Sequence, residues 1–195
     1  MIKSLSFSQE EILKSIKELY CPDGFEVDLT FGNGGFWKDM ILPKYCFDKE
    51  PLKDFVVEAD STKVPLPDDS VSSVVFDPPF LTYIKNGREH NSIMGKRFGG
   101  YWTYDELSSH YFDTLIECQR ILKKNGIMVF KCQDIIHNHK MVPTHMNVWV
   151  WALSVGLQLK DIFILGAKHK MAANKKGKQQ HARVFQSYFL VFEKV

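Results

Sequence analysis

Val71-Ser72-Ser73-Val74-Val75-Phe76-Asp77-Pro78-Pro79-Phe80 is the stretch on which the reading of this 195-residue chain turns. Residues 71–76 are mostly β-branched or aromatic and predict a strand. Two successive prolines then stop strand pairing at once. The strand therefore ends on a carboxylate, on carbonyls from residues that have no N–H to donate, and on an aromatic face. Such a corner suits a planar group bearing an NH2. The carboxylate and a proline carbonyl accept its two N–H protons, and Phe80 stacks on the ring.

Working outward, strands and helices alternate. Ser8-x-x-Glu11 is a capping-box pattern, and Ile12, Ile16 and Leu19 follow at helical spacing, predicting a helix over 8–20. Strands are expected at 25–29, 44–47, 55–57, 127–132, 157–165 and 184–193. Thr103-x-x-Glu106 opens a long helix whose buried face is Tyr104, Leu107, Tyr111, Leu115, Cys118 and Leu122, ended by Asn125-Gly126. Pro143 suits the start of another helix, to about Val155. This alternation predicts an α/β fold: a Rossmann-like, seven-stranded, mostly parallel sheet with an antiparallel last strand and helices on both faces. One domain over 1–195 accounts for the length, with substrate-binding loops at 81–102 and 167–183.

In such a sheet, ligands sit beyond the carboxyl ends of the strands. Thr30–Gly35, Asp48–Glu50, Asp60, Asp77–Phe80 and Lys131–Asp134 all follow strands and so fall on that edge. Gly32-x-Gly34 allows a tight turn and close backbone approach. No full G-x-G-x-x-G and no phosphate-loop motif is present, which argues against dinucleotide and nucleoside triphosphate sites. Asp48, with Glu50 second, is placed to accept hydrogen bonds from ribose hydroxyls. Asp60 is placed to accept one from an exocyclic adenine amine.

Charge is as informative as motif. Residues 168–183 hold six Lys/Arg and no acid, and 85–100 hold four against one. The chain as a whole carries only +2, so the remainder is net acidic. Two basic segments on an acidic body, both following strands on one edge, point to a polyanion partner. Lys96, Arg97, Lys168, Lys170, Lys175, Lys176, Lys178 and Arg183 are the candidate phosphate contacts. Tyr83, Phe98, Tyr101 and Trp102 either stack on unpaired bases or pack locally under their loop. Apolar residues make up 45% and charged residues 25%, an ordinary globular composition that excludes disordered and fibrous classes. No apolar run suits a membrane helix. Cys21, Cys46, Cys118 and Cys132 are in no metal or redox spacing and read as reduced core thiols of a cytoplasmic protein. His137, His139 and His145 lack a matching Cys or carboxylate pattern, so no metal is expected.

On Asp77-Pro78-Pro79-Phe80 and Asp28-Leu29-Thr30-Phe31-Gly32-Asn33-Gly34, the chain resembles the class I S-adenosylmethionine-dependent methyltransferases that modify exocyclic amines, notably the N6-adenine and N4-cytosine DNA enzymes. The tetrad is a full match, whereas Thr30 stands where the family often has proline. The resemblance implies S-adenosylmethionine as cofactor, with Asp28, Phe31, Gly32, Asn33, Gly34, Asp48, Asp60 and Ser61 about it and Asp77, Pro78, Pro79 and Phe80 as the catalytic corner. It implies a nucleic-acid partner, DNA before RNA. A separate target-recognition domain is missing, so a protein partner supplying recognition is one expectation. Guanine-N2 or adenine-N6 methylation of RNA, methylation of a protein amide and a non-catalytic subunit role stay open as alternatives.

Overall fold

The computed structural model describes residues 1–82, 103–167 and 179–195. Ten strands are present among them: β1 Leu5–Ser6, β2 Val27–Asp28, β3 Tyr45–Asp48, β4 Val57–Glu58, β5 Val71–Phe76, β6 Leu122–Cys132, β7 Ile135–His137, β8 Lys140–Val142, β9 Leu157–Gly166 and β10 Gln186–Lys194. Three α-helices accompany them: α1 Gln9–Tyr20, α2 Tyr104–Ile121 and α3 Thr144–Ser154. Eight strands form one sheet in the order β1-β9-β10-β6-β5-β2-β3-β4, and β7 and β8 form a separate hairpin. All pairings in the large sheet are parallel except the two made by β10.

Alternation along the central strands divides the core into two layers. Val74, Phe76, Met128 and Phe130 face the cluster built with Leu107, Tyr111, Leu115 and Cys118 of α2 and Val148 of α3. Val75, Ile127 and Val129 face the cluster built with Ile12, Leu13 and Ile16 of α1. Helices therefore cover both faces. Each fully buried Leu, Ile or Phe in these layers contributes about 1.5–3 kcal/mol relative to exposure.

The sheet has eight strands rather than the expected seven. Leu5–Ser6 adds a parallel edge strand against Ile164–Leu165, too short to leave a periodic signal. The β7–β8 hairpin was also not expected; it turns on Asn138 and His139, both at positive φ. The long helix stops at Ile121 and not at Asn125-Gly126. Leu122 is already extended and pairs with Val71, so sheet pairing captures the residue that helical spacing assigned to α2. Asn125, at φ 63°, and Gly126 then turn the chain within β6, and a Cβ at Gly126 would lie 2.8 Å from the Lys123 carbonyl. No helix among the described residues is long and apolar enough to cross a membrane.

Candidate active site

β2, β5 and β6 lie side by side, so the segments leaving their carboxyl ends meet on one edge. The turn after β2 is held from below. Asp28 is buried at 1% exposure and accepts hydrogen bonds from the Thr30 N–H, at 2.8 Å, and the Trp37 indole N–H. Burial pushes its carboxyl up to about 7, against the pull of those two donors. Asp28 is thus a strut under the turn. Gly32 and Gly34 have φ of 55° and 81°, and the Gly32 N–H donates to Asp48 Oδ2 at 2.7 Å. Asn33 is exposed and its Oδ1 accepts from the Gly35 N–H, while the buried Phe31 ring packs beneath Gly34.

Asp48 ends β3, its other oxygen accepting from the Glu50 N–H at 2.9 Å. Both its oxygens therefore shape the loop, and the lone pairs they retain are available to hydroxyl groups. Glu50 is exposed, with no side-chain hydrogen bond among the described residues. Asp60 follows β4 and accepts from the Thr62 N–H and hydroxyl. Burial alone would raise its carboxyl, but these two donors and Lys49 hold it below the usual range. Ser61 is buried, its hydroxyl facing His110 Nε2 at 2.8 Å and Thr114 Oγ1 at 3.1 Å, so its side chain is committed to α2.

Asp77 follows β5 and is held on two sides. Its N–H donates to Thr30 Oγ1 at 2.9 Å, and its Oδ2 lies 3.1 Å from Lys131 Nζ. Lys131 is 12% exposed, also donates to Gln9 Oε1 at 3.0 Å, and lies over the Phe36 and Phe189 rings. The Pro79 carbonyl accepts from the Tyr111 hydroxyl at 2.9 Å. Asp77 Oδ1 and the buried Pro78 carbonyl carry no hydrogen bond among the described residues. Two acceptors are thus left open at the corner while their neighbours are fixed. The sequence marked Lys131 as lying on this edge. Nothing in it linked Gln9 to Lys131, or Thr30 and Tyr111 to the tetrad, because those contacts span 122, 47 and 32 residues of chain.

The four cysteines are free and buried. Burial pushes the Cys21 thiol up to about 12 and Cys46 to about 11, and drives Cys118 and Cys132 well above the usual range. None is poised as a nucleophile. The three histidines go to separate partners: His137 to Thr82, His145 to Asp134, and the His139 carbonyl to His181. No cluster among the described residues could hold a metal ion. Arg183 is exposed. Lys96, Arg97, Lys168, Lys170, Lys175, Lys176 and Lys178, with Tyr83, Phe98, Tyr101 and Trp102, lie outside the described residues.

No protein-family model matches the chain, and a comparison with curated proteins also finds no match. Solved structures do match. A SAM-dependent methyltransferase from Archaeoglobus fulgidus aligns at TM-score 0.52 and 16% identity, covering 96% of this chain and 95% of that one. A protein of Galdieria sulphuraria, provisionally named a sarcosine dimethylglycine methyltransferase, aligns at TM-score 0.57 and 14% identity, covering 95% and 84%. A provisionally named DNA modification methylase of Thermus thermophilus, complexed with S-adenosyl-L-methionine, aligns at 0.48 and 21% over 69% of this chain. This chain spans about half (53%) of that protein's length. At these identities the likeness establishes architecture: the chain has the Rossmann-like fold of the SAM-dependent methyltransferases.

Proposed function

We propose that the protein transfers a methyl group from S-adenosylmethionine to an exocyclic amine of a nucleobase, adenine N6 or cytosine N4, in DNA. The observation that carries this is the corner after β5. There Asp77 Oδ1 and the Pro78 carbonyl are open acceptors, while Lys131, Thr30 and Tyr111 fix the groups around them. The neighbouring turn fits the cofactor. Gly32 and Gly34 bring bare backbone to the edge, and Asp48 and Glu50 present carboxylates where ribose hydroxyls would lie. Asp60 would face the adenine ring, and Ser61 would serve through its backbone.

When bound, S-adenosylmethionine supplies the activated methyl group. An aromatic amine is a poor nucleophile because its lone pair is delocalised into the ring. Accepting its two N–H protons at Asp77 Oδ1 and the Pro78 carbonyl favours a pyramidal nitrogen and returns the lone pair. Methylation exchanges one N–H for N–CH3, and Asp77 Oδ1 would take the released proton. Positioning carries much of the rate, since no covalent intermediate is needed. The target base must leave its stack to reach the corner. The basic segments would hold its flanking phosphates.

The test is methyl transfer from labelled S-adenosylmethionine to duplex DNA, single-stranded DNA, total RNA and a protein extract in parallel, with nucleoside mass analysis. N6-methyladenine or N4-methylcytosine in DNA is the expected product. Label in RNA would keep the chemistry and replace the substrate. Label in protein would overturn the nucleobase assignment. Label nowhere, with cofactor bound, would leave a subunit that does not turn over alone.

A further inference from the structure

Next to the corner lies a second concavity of about 390 Å³, lined by Phe7, Gln9, Gln133, Gly166, Phe185 and Ser187 among others. Asp77, Pro78 and Phe80 do not line it, so it is a separate place from the one that receives the amine. Yet the two are joined: Lys131 Nζ contacts Gln9 Oε1 at 3.0 Å and Asp77 Oδ2 at 3.1 Å.

Resting on the reading above, we infer that this concavity holds a second, unstacked nucleobase of the substrate strand, next to the one whose amine meets Asp77. Two features of its wall, and the composition of the chain segment that joins two of its lining residues, select that ligand. The first is an aromatic surface. Phe7 is 58% exposed, an apolar ring left in water, and it lies against the bare backbone of Gly166 in β9. A Cβ on Gly166 would stand 2.6 Å from the Phe7 ring. Base–aromatic stacking is the contact such a ring offers.

The second feature is a fixed polar edge. Gln133 donates from Nε2 to the Gln186 carbonyl at 2.9 Å, which orients its amide. Gln133 Oε1 and the Ser187 hydroxyl have no hydrogen bond among the described residues. An oriented amide beside a hydroxyl can read the donor and acceptor edge of a base.

The third is charge. The Ala167 N–H donates to the Phe185 carbonyl at 2.7 Å, so two residues that flank the basic segment 168–183 in sequence meet at the rim. Six Lys/Arg and no carboxylate thus enter the chain between two residues that line the concavity. A planar, hydrogen-bonding ring attached to phosphates satisfies all three. The concavity is a context-reading subsite for a flanking nucleotide.

The test compares three single strands of equal length by fluorescence anisotropy: a mixed-sequence DNA, the corresponding RNA and a fully abasic DNA. Wild-type protein, Phe7→Ala, Phe7→Tyr and Gln133→Leu are measured, each checked for folding by its thermal melt. The expected result is that Phe7→Ala weakens binding to a base-bearing strand about ten-fold, that Phe7→Tyr restores it, and that the abasic strand does not distinguish them. Gln133→Leu should also weaken binding to the base-bearing strands and leave the abasic strand unchanged. If Phe7→Ala and Gln133→Leu bind base-bearing strands as wild type does, the subsite is refuted while nucleic-acid binding stands. If wild type binds neither DNA nor RNA, the reading of the main site falls and the subsite with it.

Discussion

Thr30 Oγ1 accepts a hydrogen bond from the Asp77 N–H at 2.9 Å. This single contact joins the turn that follows β2 to the corner that follows β5. A proline at position 30 would have no side-chain acceptor to offer. Thr30→Val should leave the Asp77 N–H without its partner at a cost of about 1–3 kcal/mol. Methyl transfer should fall by ten-fold or more, with Thr30→Ser close to wild type. A serine variant no better than valine would show that the hydroxyl is not what matters.

The ion pair between Lys131 and Asp77 leaves one carboxylate oxygen held and the other open. Lys131→Met keeps the apolar stem of the side chain, removes the ammonium that lies over Phe36 and Phe189, and frees the carboxylate to rotate. Turnover should drop by one to two orders of magnitude, on the scale of a lost positioning contact. Affinity for S-adenosylmethionine, read by calorimetry, should change little, because Lys131 faces Gln9 and Asp77 and not the glycine turn. Equal losses in both would mean that the variant has disturbed the sheet edge as a whole.

Much of this edge was legible from the sequence because strands end where prolines and glycines force them to. Val71–Phe76 has the expected limits, since Pro78 and Pro79 cannot pair. Helix α1 begins after Ser8 because the Ser8 hydroxyl caps the Glu11 N–H. What the sequence hid was contact between segments distant along the chain. Tyr111 read only as one member of a buried helical face, yet its hydroxyl reaches Pro79. The resemblance implied Ser61 as a cofactor contact, and its hydroxyl lies within hydrogen-bond reach of His110 and Thr114 of α2. Strand β1 escaped because two residues cannot display a period.

Glu117 is 7% exposed in its side chain and accepts from the Val64 N–H at 2.7 Å, the Arg120 Nε at 2.8 Å and Nη2 at 2.7 Å. Arg120 in turn donates to the Leu66 carbonyl at 2.9 Å. The pair pins the segment between β4 and β5 onto α2. Arg120→Met should leave a buried carboxylate with one donor and cost about 3 kcal/mol, seen as a lower urea midpoint. Backbone amides of 63–69 should lose protection from hydrogen exchange before the sheet does. A surface-like loss below ~1 kcal/mol would contradict the burial assigned to Glu117.

Asp28 gives the fold a pH dependence of unusual sign for a carboxylate. Its folded value of about 7 lies above the ordinary carboxyl value of 3.8, so between those limits the native state binds more protons than the unfolded chain. Stability therefore falls as pH rises from about 4 to about 7 and levels off above, each unit of separation counting for about 1.4 kcal/mol. Glu26 and Asp60, whose carboxyls are lowered, act in the opposite direction, contributing stability that is lost as pH falls through their folded values. Both are common to wild type and Asp28→Asn, so they cancel in the difference. The asparagine cannot ionise, and it can accept from the Thr30 N–H or the Trp37 N–H but not from both. It should therefore be the less stable protein near pH 4.5, by about 1–3 kcal/mol. The gap should close as pH rises towards 8, because only wild type pays for an ionised buried carboxylate. Urea midpoints at pH 4.5, 6 and 8 measure this, and two parallel curves would mean that Asp28 titrates alike in the folded and unfolded chain.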